Sequence, residues 1–110
     1  MVFNCLDIDS VVGFDWDDGN LLKNEIKHNL KWQTIEELFF NEPLVVVEDK
    51  KHSNKTECRC LALGCVDDGR LISVFFTKRN DKIRVISARA MSKKERKFYE
   101  KFTKVQKPTR

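Results

Sequence analysis

Residues 57–90 read ECRCLALGCVDDGRLISVFFTKRNDKIRVISARA, and this stretch decides the fold. Three apolar runs rich in β-branched and aromatic residues are separated by two short polar turns. Asp68-Gly69 suits the left-handed conformation of a two-residue hairpin turn, and Asn80-Asp81 tolerates it. The stretch therefore reads as a three-stranded antiparallel meander. Turning at Asp68-Gly69 pairs Leu61 with Phe76; turning at Asn80-Asp81 pairs Phe76 with Val85. Side-chain alternation then assigns Glu57, Arg59, Leu61, Leu63, Ile72, Val74, Phe76, Lys78, Ile83, Val85, Ser87 and Arg89 to one face. Cys58, Cys60, Ala62, Leu71, Ser73, Phe75, Thr77, Arg84, Ile86 and Ala88 fall on the other. The first face is apolar at its centre and charged at its ends, as expected of a sheet packed under helices with a polar rim.

The flanking chain supplies the cover. Val11 to Phe14 reads as a short strand, and Asp17 suits the N-cap of a helix on which Leu22, Ile26 and Leu30 recur, with Trp16 packing on Leu21. Lys23, Lys27 and Lys31 form a basic stripe beside it, with His28 on the flank. Thr34-Ile35-Glu36-Glu37 has the form of a capping box opening a short helix, which Asn41 and Pro43 end. Leu44 to Val47 is a strand candidate before a polar loop, Glu48 to Lys55. After the meander, Ser92-Lys93-Lys94-Glu95 is a second capping box, and Phe98, Phe102 and Val105 form the expected core stripe of the last helix, beside Tyr99. Residues 1–10 read as an edge strand or ordered arm, and 106–110 as a frayed tail. The fold class is α+β: an antiparallel meander packed with two N-terminal helices and one C-terminal helix.

A chain of 110 residues is expected to form a single domain, with its core between about 11 and 105. Eight Phe and two Trp argue against disorder despite 35% charged residues. No apolar run approaches the ~20 residues of a membrane span, and no signal pattern opens the chain, so a cytoplasmic protein without a membrane partner is expected. Net charge is +4, but residues 1–77 carry eight Lys/Arg against fourteen Asp/Glu, and residues 78–110 thirteen against three. A basic C-terminal third on an acidic body suits a polyanionic partner. Cys5, Cys58, Cys60 and Cys65 lack zinc-ligand spacing and read as small buried residues in a reducing compartment. Neither a phosphate-cradling glycine loop nor a metal motif is present, so no cofactor is expected. Arginines near strand ends, with Glu57 and His28 available for proton transfer, fit RNA cleavage without a metal. Guanidinium forks would hold phosphate, and a base would take the 2′-hydroxyl proton.

These residues are also those by which the chain resembles the BrnT family of bacterial type II toxin–antitoxin systems. Phe14-Asp15-Trp16-Asp17, Asn24, Lys27-His28, the Ile35/Glu37/Leu38/Phe39 helix, Asp49 with His52, and Glu57-Cys58-Arg59 follow the family pattern in order. So do Gly69-Arg70, Phe76-Thr77-Lys78-Arg79, Arg84-Val85-Ile86-Ser87-Ala88-Arg89 with Ala90, and Glu95-Arg96 with Tyr99. Asn29 where the family often has Gly, Leu38 where Ala is usual, and a longer N-terminal arm depart from it. The resemblance implies a RelE-like fold and a metal-independent endoribonuclease that arrests growth. It further implies a BrnA-type antitoxin partner, forming a hetero-oligomer that binds operator DNA mainly through the antitoxin. By position it assigns Arg59, Arg79 and Arg89 to phosphate, and Glu57, Lys27 or His28 to proton transfer; Lys23, Lys78, Arg84 and Ser87 join them as RNA-binding candidates. A non-catalytic nucleic-acid-binding or partner-binding module of the same fold would carry the same inventory. Arg89 could instead be a structural partner for Glu57 or Glu95.

The inferred register sets a condition on that site. It places Arg59 beside Lys78 but Arg89 across from Ile72, six strand residues or roughly 20 Å away. One compact phosphate site holds both arginines only if a bulge shifts the pairing; otherwise the register is wrong, one arginine serves substrate at a distance, or one is structural.

Overall fold

The structure, a computed structural model, describes residues 11–16 and 18–104. In chain order its elements are β1 (Gly13–Phe14), α1 (Asp18–His28), α2 (Trp32–Phe40), β2 (Val45–Glu48), β3 (Arg59–Cys65), β4 (Leu71–Arg79), β5 (Lys82–Ala90) and α3 (Lys93–Lys104). The five strands form one sheet in the order β1-β5-β4-β3-β2. The meander β3–β4–β5 is antiparallel and β2 extends it, while β1 adds to β5 in parallel, so the sheet is mixed at that edge. Among the described residues no helix is long and apolar enough to cross a membrane.

The first hairpin is one residue out of the expected register. Cys60, not Leu61, pairs with Phe76, and Leu61 pairs with Phe75. The connection is a three-residue loop, Asp67-Asp68-Gly69, closed by Val66 N–H to Arg70 O at 3.1 Å, with Gly69 at φ 93°. A three-residue hairpin loop places its left-handed residue last, which is where Gly69 stands. The second turn is as expected, with Arg79 opposite Lys82, Phe76 opposite Val85 and Asn80 at φ 55°. Between Phe75 and Phe76 the β4–β5 pairing shifts: Phe75 faces Ser87, so Ile86 is an extra residue, a β-bulge.

Both departures change which face each side chain occupies, since a one-residue slip reverses every facing. Cys60, Ala62, Ile72, Val74, Phe76, Ile83, Val85 and Ala88 line one buried face, packed by Leu30, Ile35 and Leu38 from the α1–α2 region. Leu61, Leu63, Arg59, Ser87 and Arg89, expected beside Phe76, lie on the opposite face instead, with Phe75, Ser73 and Thr77. That face is covered only in part, by α3: Tyr99 and Met91 pack on Val45 and Leu63, with Val47, Leu61 and Leu71 around them. Gly64 permits close approach of α2, because a Cβ there would stand 3.0 Å from Leu38 Cγ. Cys58 and Cys65 are free thiols but Cys60 is disulfide-bonded, so the reading of small reduced residues fails there.

The helices depart from expectation in their ends and rotation. Ser92 and Glu95 form the expected capping box: Ser92 Oγ accepts from Glu95 N–H at 3.1 Å, and Glu95 Oε1 accepts from Ser92 N–H at 2.9 Å. Thr34 does not cap α2, which starts at Trp32 after Lys31 with no side-chain cap. On α3, Tyr99 and Thr103 are buried while Phe98 and Phe102 are 40% and 53% exposed, their rings 5.3 Å apart. The aromatic stripe expected inside is therefore on the surface. Trp16 packs on the core and its indole N–H donates to Glu36 at 2.8 Å. The readings at Asp17, Leu21, Leu22, Ile26, Val105 and residues 1–10 and 106–110 lie outside the described side chains.

Phe76 is fully buried at the centre of the helix-covered face and meets Phe39 edge-on, with ring centroids 5.4 Å apart. Phe76→Ala removes that ring from a packed core, so it is expected to cost about 3–5 kcal/mol in a denaturant melt. A near-native midpoint would place Phe76 on the open face.

Candidate functional site

The uncovered part of the open face is a shallow cleft of about 220 Å³, lined by Asp49, His52, Arg59, Phe75, Ile86 and Ser87. Its residues come from three places: the loop after β2, the start of β3, and the middle of β4 and β5 beside the bulge.

The loop is tied to β3 by its own side chains. Asp49 N–H donates to Arg59 O at 2.7 Å, extending the β2–β3 ladder by one rung. Ser53 Oγ accepts from Arg59 N–H at 2.9 Å and donates to Asp49 O at 2.8 Å. Asn54 Oδ1 accepts from the Thr56 and Glu57 N–H groups, an Asx-type turn that brings the chain back into the sheet. Within this frame His52 Nδ1 lies 2.7 Å from Asp49 Oδ2. The imidazole is 56% exposed and Asp49 only 15%, so the carboxylate is the fixed partner that orients the ring. Nε2 is left as the nitrogen not engaged by Asp49.

Arg59 sits beside this pair. Its Nε is 3.0 Å from Glu57 Oε1, while Arg79 Nη2 is 3.7 Å from the other oxygen, Oε2. One carboxylate thus gathers two guanidinium groups at the cleft edge. Cross-strand neighbours Arg59, Thr77 and Arg84 lie in a row, with Arg84 Nη1 reaching Asp15 at 3.4 Å. Arg84 is therefore on the same face as Arg59, not on the opposite one.

Arg89 is drawn to the other side of Phe75. Its guanidinium carbon lies 5.3 Å from the Phe75 ring centroid, and its two Nη atoms grip Glu95 Oε1 and Oε2 at 2.6 and 2.8 Å. Glu95 Oε1 also accepts from Ser73 Oγ at 2.8 Å. Burial alone would raise the Glu95 carboxyl. Hydrogen bonds from Arg89, Ser92 N–H and Ser73, with the Arg89 charge, outweigh burial and hold it at about 2. The same hydrogen bond raises Arg89 against the opposing effect of its burial.

The candidates named from sequence thus divide. Arg59 and Ser87 line the cleft, and Glu57 and Arg79 stand at its edge through Arg59. Arg89 is on the same face but committed to Glu95, the structural alternative raised above. Lys27 and His28 occupy the exposed last turn of α1 and do not line the cleft. Lys78 alternates to the helix-covered face with Phe76 and Val74. Lys23 donates its Nζ to Ile86 O at 2.8 Å. Asp49, His52 and Phe75 carry no assigned role in the sequence reading; the three-residue spacing of Asp49 and His52 in a polar loop was the available signal. Among the described residues, no group of three or more His, Cys, Asp or Glu side chains is placed to hold a metal ion.

The family profile described as "Ribonuclease toxin, BrnT, of type II toxin-antitoxin system" matches residues 16–95. A crystal structure of the ribonuclease toxin BrnT of Brucella abortus is similar in fold, with a TM-score of 0.56 at 23% identity, covering 76% of this chain and 100% of that one. No curated protein matches the chain.

Glu95 is held at about 2 against an ordinary 4.5, so the folded state resists protonation there. The stability this contributes is complete above 4.5 and is lost as pH falls through 2. Melting midpoints taken across that interval should fall more steeply for the wild type than for Glu95→Gln. Parallel curves would remove the Arg89–Glu95 contact from the fold's acid response.

Proposed function

The chain belongs to the BrnT family of ribonuclease toxins of type II toxin–antitoxin systems, and from that premise we propose that it is a metal-independent endoribonuclease working at the Asp49–His52–Arg59 cleft. The observation that carries this reading is the convergence of an oriented imidazole and a guanidinium on one open cleft. Imidazole is the side chain suited to moving protons near neutral pH, and a guanidinium fork matches phosphate oxygens.

In the proposed reaction a base, His52 Nε2 or Glu57, removes the proton of a ribose 2′-hydroxyl. The freed oxygen attacks the adjacent phosphorus. Negative charge builds on the non-bridging oxygens, where Arg59 and Arg79 stabilise it. The bond to the 5′-oxygen breaks, that oxygen takes up a proton, and the products are a 2′,3′-cyclic phosphate and a 5′-hydroxyl. A phosphate entering the cleft competes with Glu57 for both guanidiniums, so the pairing seen in the free protein loosens as substrate binds. Phe75 offers an apolar surface for the base beside the scissile bond. We further propose a RelE-like assignment for the fold, a cytoplasmic site of action and a BrnA-type antitoxin that neutralises the chain and carries the operator DNA contacts. A type II toxin has an antitoxin as its partner, and the basic residues after Lys78 suit both an acidic protein surface and RNA.

Single-stranded RNA incubated with purified protein in EDTA is expected to be cleaved at the rate seen with Mg²⁺. Loss of cleavage in EDTA with recovery in Mg²⁺ would overturn the metal-free mechanism.

His52→Ala is expected to lower the initial rate by a factor on the order of 10²–10⁴. Arg79→Lys, which keeps charge but loses the fork, should lower it by about 10–1000. Melting midpoints from the same preparations should move by no more than ~0.5 kcal/mol equivalent. RNA retained in a gel shift without cleavage would favour the non-catalytic binding module instead.

A further inference from the structure

The bulge in β5 does more than interrupt a ladder. Up to Val85 the strand alternates so that Ile83 and Val85 enter the helix-covered core. Continued without a break, that alternation would turn Ser87 and Arg89 into the same core. The extra residue Ile86 reverses it, putting Ser87 in the cleft and Arg89 over Phe75. The half of β5 that carries Ser87 and Arg89 lies on the open face only because the bulge is there.

We propose that Asn24 and Lys23 of α1 are positioning residues that clamp this bulge and so aim Ser87 and Arg89. This rests on the ribonuclease reading for its kinetic consequence, but not for its geometry. β1 pairs with β5 only at Lys82 and Ile83, and beyond them α1 lies along the strand's outer edge. Lys23 Nζ donates to Ile86 O at 2.8 Å, the carbonyl of the bulged residue itself. Asn24 Oδ1 accepts from Ala88 N–H at 3.1 Å, two residues on. Consecutive helix residues therefore satisfy one acceptor and one donor that bracket Ser87. Asn24 is 1% exposed, and its Nδ2 has no partner among the described residues. A buried amide donor left unpaired is destabilising. Its presence at a position facing the bulge indicates that holding Ala88 outweighs that cost. The family-pattern asparagine and a lysine otherwise assigned to RNA thereby acquire one shared task.

The test uses the full chain, amide hydrogen exchange read by NMR, and steady-state cleavage of a single-stranded RNA oligonucleotide. Lys23 is exposed, so Lys23→Met tests the clamp even if Asn24→Ala fails to fold. Both variants should speed exchange at Ala88 and its neighbours and lower kcat by about tenfold, the scale of a sub-ångström to ångström misplacement. KM should stay near wild type, and Lys23→Arg, which can still donate to Ile86 O, should restore both readouts. Unchanged exchange with a raised KM would overturn the proposal and make Lys23 a direct RNA contact. A lowered melting midpoint with unchanged kcat would also overturn it, leaving a purely structural pair. If the wild type cleaves no RNA, the ribonuclease reading falls. Faster exchange around Ala88 in Lys23→Met would then still support the clamp, and unchanged exchange would sink it.

Discussion

Side chains on a strand alternate with a period of two, and in this fold one extra residue sets the phase of that alternation. Ile86 divides β5 into a half that feeds the core and a half that feeds the cleft. Val85 and Ala88 lie on the buried face although three positions separate them, which regular alternation forbids. The rest of the open face depends on that reversal. Arg89 can meet Glu95 only from the cleft side, and Glu95 in turn caps α3 and accepts from Ser73. The last helix is thus held by a carboxylate whose partner is placed by the bulge.

Much of the framework was legible along the chain because it depends on neighbours in sequence. The element order, the Asn80-Asp81 turn and the Ser92–Glu95 cap involve residues a few positions apart. The first hairpin was less readable for a physical reason. Asp67-Asp68-Gly69 can close as two residues or three, since Gly69 accepts the left-handed conformation in either. The choice is made from a distance: Glu37 Oε1 accepts from Asp67 N–H at 3.0 Å, and Asn41 Nδ2 donates to both Cys65 O and Asp67 Oδ1. Side chains at the C-terminal end of α2 thereby select the longer loop. The rotation of α3 is hidden in the same way. Phe98 and Phe102 have the spacing of a core stripe, but the Arg89 grip on Glu95 and the Tyr99 hydroxyl bonded to Pro43 O at 2.6 Å turn Tyr99 and Thr103 inward.

The candidate site was legible in its residue types more than in its grouping. Arg59, Ser87, Glu57 and Arg79 converge, while Arg89, which the simple register put six strand residues from Arg59, is held by Glu95. That a bulge could shift the pairing was readable as one alternative; its position was not, because the bonds that bracket it come from α1, more than sixty residues earlier in the chain. His52 was matched to the family pattern but given no role, for a related reason. A histidine in a charged loop looks solvated until Ser53 and Asn54 are seen folding that loop against β3.

The pairing inside the cleft also has a consequence for approach. With His52 uncharged, Asp49, Glu57, Arg59 and Arg79 sum to no net charge, and Arg89 is cancelled by Glu95. A polyanion therefore feels little pull from the cleft itself at long range. Attraction must come from the other eleven Lys and Arg of residues 78–110 acting as a field, against Asp81 and Glu100. That field reaches only about 8 Å at physiological ionic strength and shrinks as salt is added. On the proposed reading, capture and turnover are governed by different charges: diffuse basic residues set the encounter rate, and short paired contacts set the chemical step. Ionic strength acts on the first while leaving the second nearly untouched.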